Sequence, residues 1–214
     1  MTSVNVTGRA RQLVPPDRAV VDLGLSVVAA DAASALDQVS ARSTALHDHL
    51  TGLGIEPDDW VTDGITVAEE WEYRRDQHTL VGHRATTGVV VTVADTSLLS
   101  SLVRVAVGDA GAQVRQLRWE VLPDHPVRRE LLGRAALDAR DRATAYVTAL
   151  GLRLGAVELI SESPIDATPS PAAVAAPKMR AAMADHGAEL AVSGGQIELA
   201  AEVHVRFAIL PSGG

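Results

Sequence analysis

Cysteine is missing altogether from the 214 residues. That excludes disulfides, Cys-ligated zinc, iron–sulfur clusters and thiol nucleophiles. Lysine is nearly missing: of the 19 basic residues only Lys178 is a lysine, a bias read as genomic rather than functional. Aromatics make up 3% of the chain, so Ala and Val must build most of the core. Positive charge is in deficit, and the formal net charge of −8 argues against general nucleic-acid binding. No apolar run approaches the roughly 20 residues of a membrane-spanning helix. The start, Met1-Thr2-Ser3, shows neither a basic n-region nor an apolar h-region, which predicts a cytoplasmic location. HExxH, GxSxG, P-loop and GxGxxG signatures are all absent, so neither enzyme activity nor a cofactor or metal is expected.

What is present is strong patterning. Residues 17–29 alternate, with Ala19, Val21, Leu23, Leu25 and Val27 on one face and Arg18, Asp22 and Ser26 on the other. Strict period-two alternation predicts a strand with one buried face, as in antiparallel sheets. Asp31 reads as the N-cap of a helix of about 22 residues, with Ala32, Leu36, Val39, Ser43, Leu46, Leu50 and Leu53 as its apolar stripe. Residues 60–74 read as a strand with Val61, Ile65, Val67, Trp71 and Tyr73 on one face. A polar turn at 74–79 and a second strand at 80–94 complete a hairpin. Asp95 caps a shorter helix with Leu98, Leu99, Leu102, Val103 and Ala106 as its apolar face. A strand at 113–122 follows. A helix starting at Pro126 then runs to about 146–150, roughly 35–40 Å long. A short strand at 156–162 and a last one alternating from Ile197 to Ile209 end the pattern.

The order β-β-α-β-β-α-β-α-β-β predicts an α+β fold, mostly antiparallel, with helices packed on one side of the sheets. The chain reads as one domain over residues 1–214, with sub-lobes at 1–94 and 95–214. Residues 163–189, rich in Pro and Ala, read as a surface loop or as an arm crossing to a neighbouring subunit. Met179 and Met183, four apart, would be the adaptable contacts of such an arm.

The polar residues offer two candidate chemistries. His47 and His49 lie two apart on a helix and point away from each other. His83 and His204, each on a strand, could join Glu69, Glu70 or Glu202 in a two-His, one-carboxylate metal site, against the plainer reading of solvent-facing histidines. Glu130, Arg134, Asp138 and Arg142 step by four along the third helix, as a solvated face or a charged subunit interface. Glu69-Glu70-Trp71-Glu72-Tyr73-Arg74 mixes charge with aromatics near a hairpin tip. Trp, Tyr and Arg are favoured interface anchors, so Trp71, Tyr73 and Arg74 are the candidate contact residues.

Several landmarks in fixed order carry a family resemblance. They are the opening from Val4 with Gly8 and Pro16-Asp17-Arg18-Ala19, and Leu53-Gly54-Ile55 followed by Asp59 and Thr62. Gly82-His83-Arg84-Ala85 and the valine-rich run 89–93 come next. The helix 136–143 with Gly151 and Gly155, and Gly195-Gln196-Ile197-Glu198-Leu199 with Val203-His204-Val205, complete the set. Together they resemble the SIMPL-domain family, which includes bacterial periplasmic proteins linked to oxidative-stress defence and an animal kinase-associated adaptor. The resemblance implies a non-enzymatic protein that self-assembles into a homo-oligomer or serves as an adaptor for a protein partner, with a role in stress defence. The alternative is a small-ligand or metal-binding enzyme using the strand histidines and nearby carboxylates.

Overall fold

The structure, a computed structural model, describes residues 2–74, 77–163, 165 and 194–211, with the side chain of Arg74 outside that set. The strands are β1 (Ser3–Val14), β2 (Arg18–Ala29), β3 (Trp60–Arg74), β4 (Gln77–Val93), β5 (Gln113–Glu120), β6 (Leu152–Ser161) and β7 (Ile197–Pro211). The helices are α1 (Ala32–Gly52), α2 (Leu99–Gly108) and α3 (Pro126–Ala149), with short 3-10 turns at Pro57–Asp59 and Thr96–Leu98. Element order and the antiparallel α+β class agree with the sequence pattern. Among the described residues no helix is long and apolar enough to cross a membrane.

Strand pairing divides these elements into two compact units. The division follows hydrogen bonding rather than a cut near residue 94. β1 leaves the first half of the chain to pair with β7, and β5 pairs back to β2.

One unit is the sheet β1-β7-β6 with α3. Val6, Ala10 and Val14 of β1 and Leu199, Val203, Val205 and Phe207 of β7 turn the same way, as period-two strands must. They pack with Leu131, Ala135, Ala139 and Ala143 of α3. Alanine at every fourth position lets the helix backbone approach the sheet closely. Gly8 completes the fit: a Cβ there would lie 2.0 Å from the Ala135 carbonyl oxygen.

The other unit is the sheet β3-β4-β2-β5 with α1 and α2. Ala19, Val21, Leu23, Leu25 and Val27 of β2 are all buried, as their alternation requires. Asp31 caps α1, its Oδ1 accepting from the Ser34 amide at 2.9 Å. The buried stripe of α1 is Ala35, Val39, Leu46 and Leu50. Ala32 and Leu36, expected on that stripe, are exposed. The core face there is one residue out of step with the expected one: Ala35, fully buried, turns inward in place of Leu36.

β3 departs more. Its five apolar residues were expected on one face, but the register shifts between Asp63 and Ile65, where Gly64 adopts φ +51°. Cross-strand partners share a face. Ile65 and Val67 pair with buried Thr87 and Ala85 on the helix-bearing side, whereas Val61 pairs with Val90 on the other. The bulge frees the Gly64 carbonyl, which accepts from buried Thr87 Oγ1 at 2.8 Å. None of the five apolar residues is buried.

Candidate functional site

β2 accompanies β4 only as far as the Ala29–His83 pair. Beyond it, among the described strands, Glu70–Arg74 and Gln77–Gly82 form a ladder only with each other. The result is a two-stranded ribbon that outruns the sheet. A strand pair without a third strand has no core to hide its side chains in. Trp71 is 52% and Tyr73 61% exposed, and Leu80 and Val81 across the ribbon are exposed too. Trp71 pairs with Leu80, and Trp71 Nε1 donates to Glu69 Oε2 at 3.1 Å. Tyr73 pairs with His78, their rings tilted at 57° with centroids 5.1 Å apart. These contacts orient the aromatics without covering them. Contiguous exposed apolar groups of this kind mark interaction surfaces.

The base of the ribbon is fixed. Arg84 donates to both carboxylate oxygens of Glu70, at 2.8 and 2.6 Å, and to Ser26 Oγ at 3.1 Å. The Arg84 hydrogen bonds hold the Glu70 carboxyl below its usual value of 4.5, against the opposing effect of burial. Gly82 takes φ +147°, and a Cβ there would meet the Ala29 carbonyl oxygen at 2.4 Å.

Of the candidate contact residues, Trp71 and Tyr73 lie on this ribbon, with Arg74 at the end of β3. The Arg74 side chain, Met179, Met183 and most of the 163–189 segment lie outside the described residues. Leu80, Val81 and the Glu70–Arg84 pair escaped the sequence reading. The signal for the first two was an apolar pair directly after the polar turn, absorbed there into the strand's alternation.

The strand-histidine alternative finds no ligating geometry. His204 belongs to β7, where Nδ1 is 3.0 Å from Thr7 Oγ1 and Nε2 is 3.4 Å from Glu202. His83 belongs to the other sheet, opposite Ala29 and Glu69. Among the described residues no group of three or more His, Asp or Glu side chains could hold a metal ion. His47 stacks on Trp60, with centroids 5.7 Å apart and planes 17° from parallel.

The charged ladder of α3 has a use that neither earlier reading foresaw. Among the described residues β1 is an edge strand. Its Arg9 amide donates to Asp138 Oδ2 at 2.8 Å, and its Thr7 carbonyl accepts from Arg142 Nη1 at 3.1 Å. Arg134 reaches Gln12 Oε1 at 2.9 Å. The ladder therefore occupies polar groups along the open side of β1.

Comparison with known proteins bears on all of this. The profile of the SIMPL family, described as a protein of unknown function (DUF541), matches residues 4–207. The 26 kDa periplasmic immunogenic protein of Brucella melitensis is 27% identical over 192 residues, covering 85% of this chain and 74% of the relative. The protein of the same name from Brucella abortus matches with the same identity and coverage.

Proposed function

The chain belongs to the SIMPL family, and we propose that it works without catalysis, as a self-assembling or adaptor protein whose contact surface is the β3–β4 ribbon. The observation behind this reading is the ribbon itself. In a chain with 3% aromatics, a Trp and a Tyr stand exposed on a two-stranded projection whose base is pinned by an ion pair. Large aromatic anchors are the residues that dominate protein–protein hot spots. A role in stress defence belongs to the same proposal and comes from the family resemblance. With no cysteine, such a role excludes thiol-based peroxide reduction.

Light scattering on the full chain at tens of micromolar tests the reading. The expected result is a mass of several protomers that falls when Trp71 and Tyr73 are both replaced by Ala. A wild-type chain that stays strictly monomeric and captures no partner overturns it. Location is tested separately. Both relatives carry a periplasmic name, and the cytoplasm is the other compartment to be tested. Fractionation of cells expressing the tagged chain decides between the two compartments.

A further inference from the structure

The four-stranded sheet has two edges, β3 and β5, each hydrogen-bonded on one side only among the described residues. An edge strand presents a row of unpaired N–H and C=O groups, a template for a further strand. The two edges differ in charge. Along β3 and its approach stand Asp59 and Asp63, neither in an ion pair among the described residues, and Asp63 lies on the face away from the helices, as Arg118 of β5 does. On β5 stand Arg115 and Arg118. Arg115, the extra residue of a bulge, folds back over Gly24 and Gly88 toward Asp22. Arg118 is exposed and has no ion-pair partner among the described residues.

We propose that the β3 edge of one copy receives the β5 edge of a second copy, so that the sheet continues from chain to chain. This rests on the self-assembly reading above and adds to the ribbon a second contact, through the two sheet edges. Three features carry it. Neighbours in the order β3-β4-β2-β5 are all antiparallel, so the two edge strands run in opposite directions. A second copy in the same orientation therefore adds its β5 antiparallel to β3, with its helices on the same face. Charge selects this pairing: β3 on β3 sets acid against acid, β5 on β5 sets Arg118 against Arg118, and like charges facing across a ladder repel. The apolar layer also runs on. Ile65 and Val67 of β3 lie half-exposed on the helix-bearing face, and Leu117 and Trp119 of β5 lie half-buried on that same face. A contact of unlike surfaces is head-to-tail and builds a ring, or a filament where the rotation does not close.

Charge reversal tests the pairing. Asp59→Arg with Asp63→Arg makes both edges basic on the face that Arg118 occupies, and Arg118→Glu makes both acidic. Each variant alone should lose most of its assembled mass in light scattering, and an equimolar mixture should regain it. Circular dichroism melts confirm that each variant is folded. The chain lacks cysteine, so Ile65→Cys and Leu117→Cys chains provide a second readout. A flexible bismaleimide should join them in the mixture and join neither to itself. Oligomers that survive Arg118→Glu, or variants that do not complement, overturn the edge pairing and leave self-assembly standing. A monomeric wild type overturns both.

Discussion

Gly8 of β1 lies directly against the backbone of Ala139 in α3: a Cβ on Gly8 would stand 2.6 Å from the Ala139 nitrogen. It would also stand 2.0 Å from the Ala135 carbonyl oxygen. Both obstacles are main chain within a helix and cannot step aside. Gly8→Ala should therefore sit at the upper end of overpacking costs, about 3 kcal/mol. Gly24 supplies the contrast. Its Cβ would come within 2.3 Å of Arg115 Nε, but that is the far end of a flexible side chain. Gly24→Ala should cost less than about 1 kcal/mol. Urea midpoints followed by circular dichroism rank the two; equal losses would show that the helix–sheet approach is softer than its geometry.

Gly82 sets the departure of the ribbon. Its φ of +147° is one that a side chain tolerates poorly, and the Ala29 carbonyl fills the space where a Cβ would go. The backbone conformation alone should make Gly82→Ala cost roughly 1–3 kcal/mol. Hydrogen exchange should show faster amide exchange at 69–74 and 77–83, with the core of β2 unchanged. Uniform acceleration across the sheet would argue against a local role.

The Glu70–Arg84 pair gives the ribbon a pH dependence with a definite sign. The folded-state pKa of Glu70 lies below 4.5, chiefly through its hydrogen bonds from Arg84. A depressed carboxyl stabilises the fold fully above the unfolded value and loses that contribution as pH falls through the folded one. The ribbon base should hold at neutral pH and loosen only below 4.5. NMR titration of the Glu70 carboxyl carbon should give a midpoint under 4.5, and Arg84→Met should move it upward. A midpoint unchanged by that substitution would assign the shift to another cause.

Much of this was legible beforehand. Strict alternation in β2 and β7 showed which face meets the helices, because a one-residue slip would turn the whole set over, although Val20 on the other face of β2 is buried too. Asp31 announced its helix through chemistry that acts within three residues. The failures share a cause: they depend on partners distant in sequence. The β3 bulge needs Thr87 to donate to its freed carbonyl, and no local pattern at Gly64 shows it. Leu36 looks like a core residue by spacing, but the face that α1 turns inward there carries Ala35, and that is set by how the helix lies on distant strands. The contact site was half-read in the same way. Trp71 and Tyr73 were visible as types, while their exposure follows from β2 ending at Ala29, more than 40 positions earlier.

The ladder on α3 leads to the last expectation. As an exposed i,i+4 pair, Asp138 and Arg142 would contribute about 0.3–0.5 kcal/mol. Their hydrogen bonds to Arg9 and Thr7 give them a second effect, since an edge strand with free groups invites another chain. Replacing both by Ala should lower the melting temperature only slightly, yet raise aggregation on mild heating and increase thioflavin binding. Glu130→Ala, one turn before the guarded stretch, should change neither. Turbidity at a temperature where both variants remain folded separates the two effects. Aggregation that tracks lost stability alone would reduce the ladder to an ordinary solvated face, whereas aggregation ahead of unfolding would identify Asp138 and Arg142 as the guard of the β1 edge.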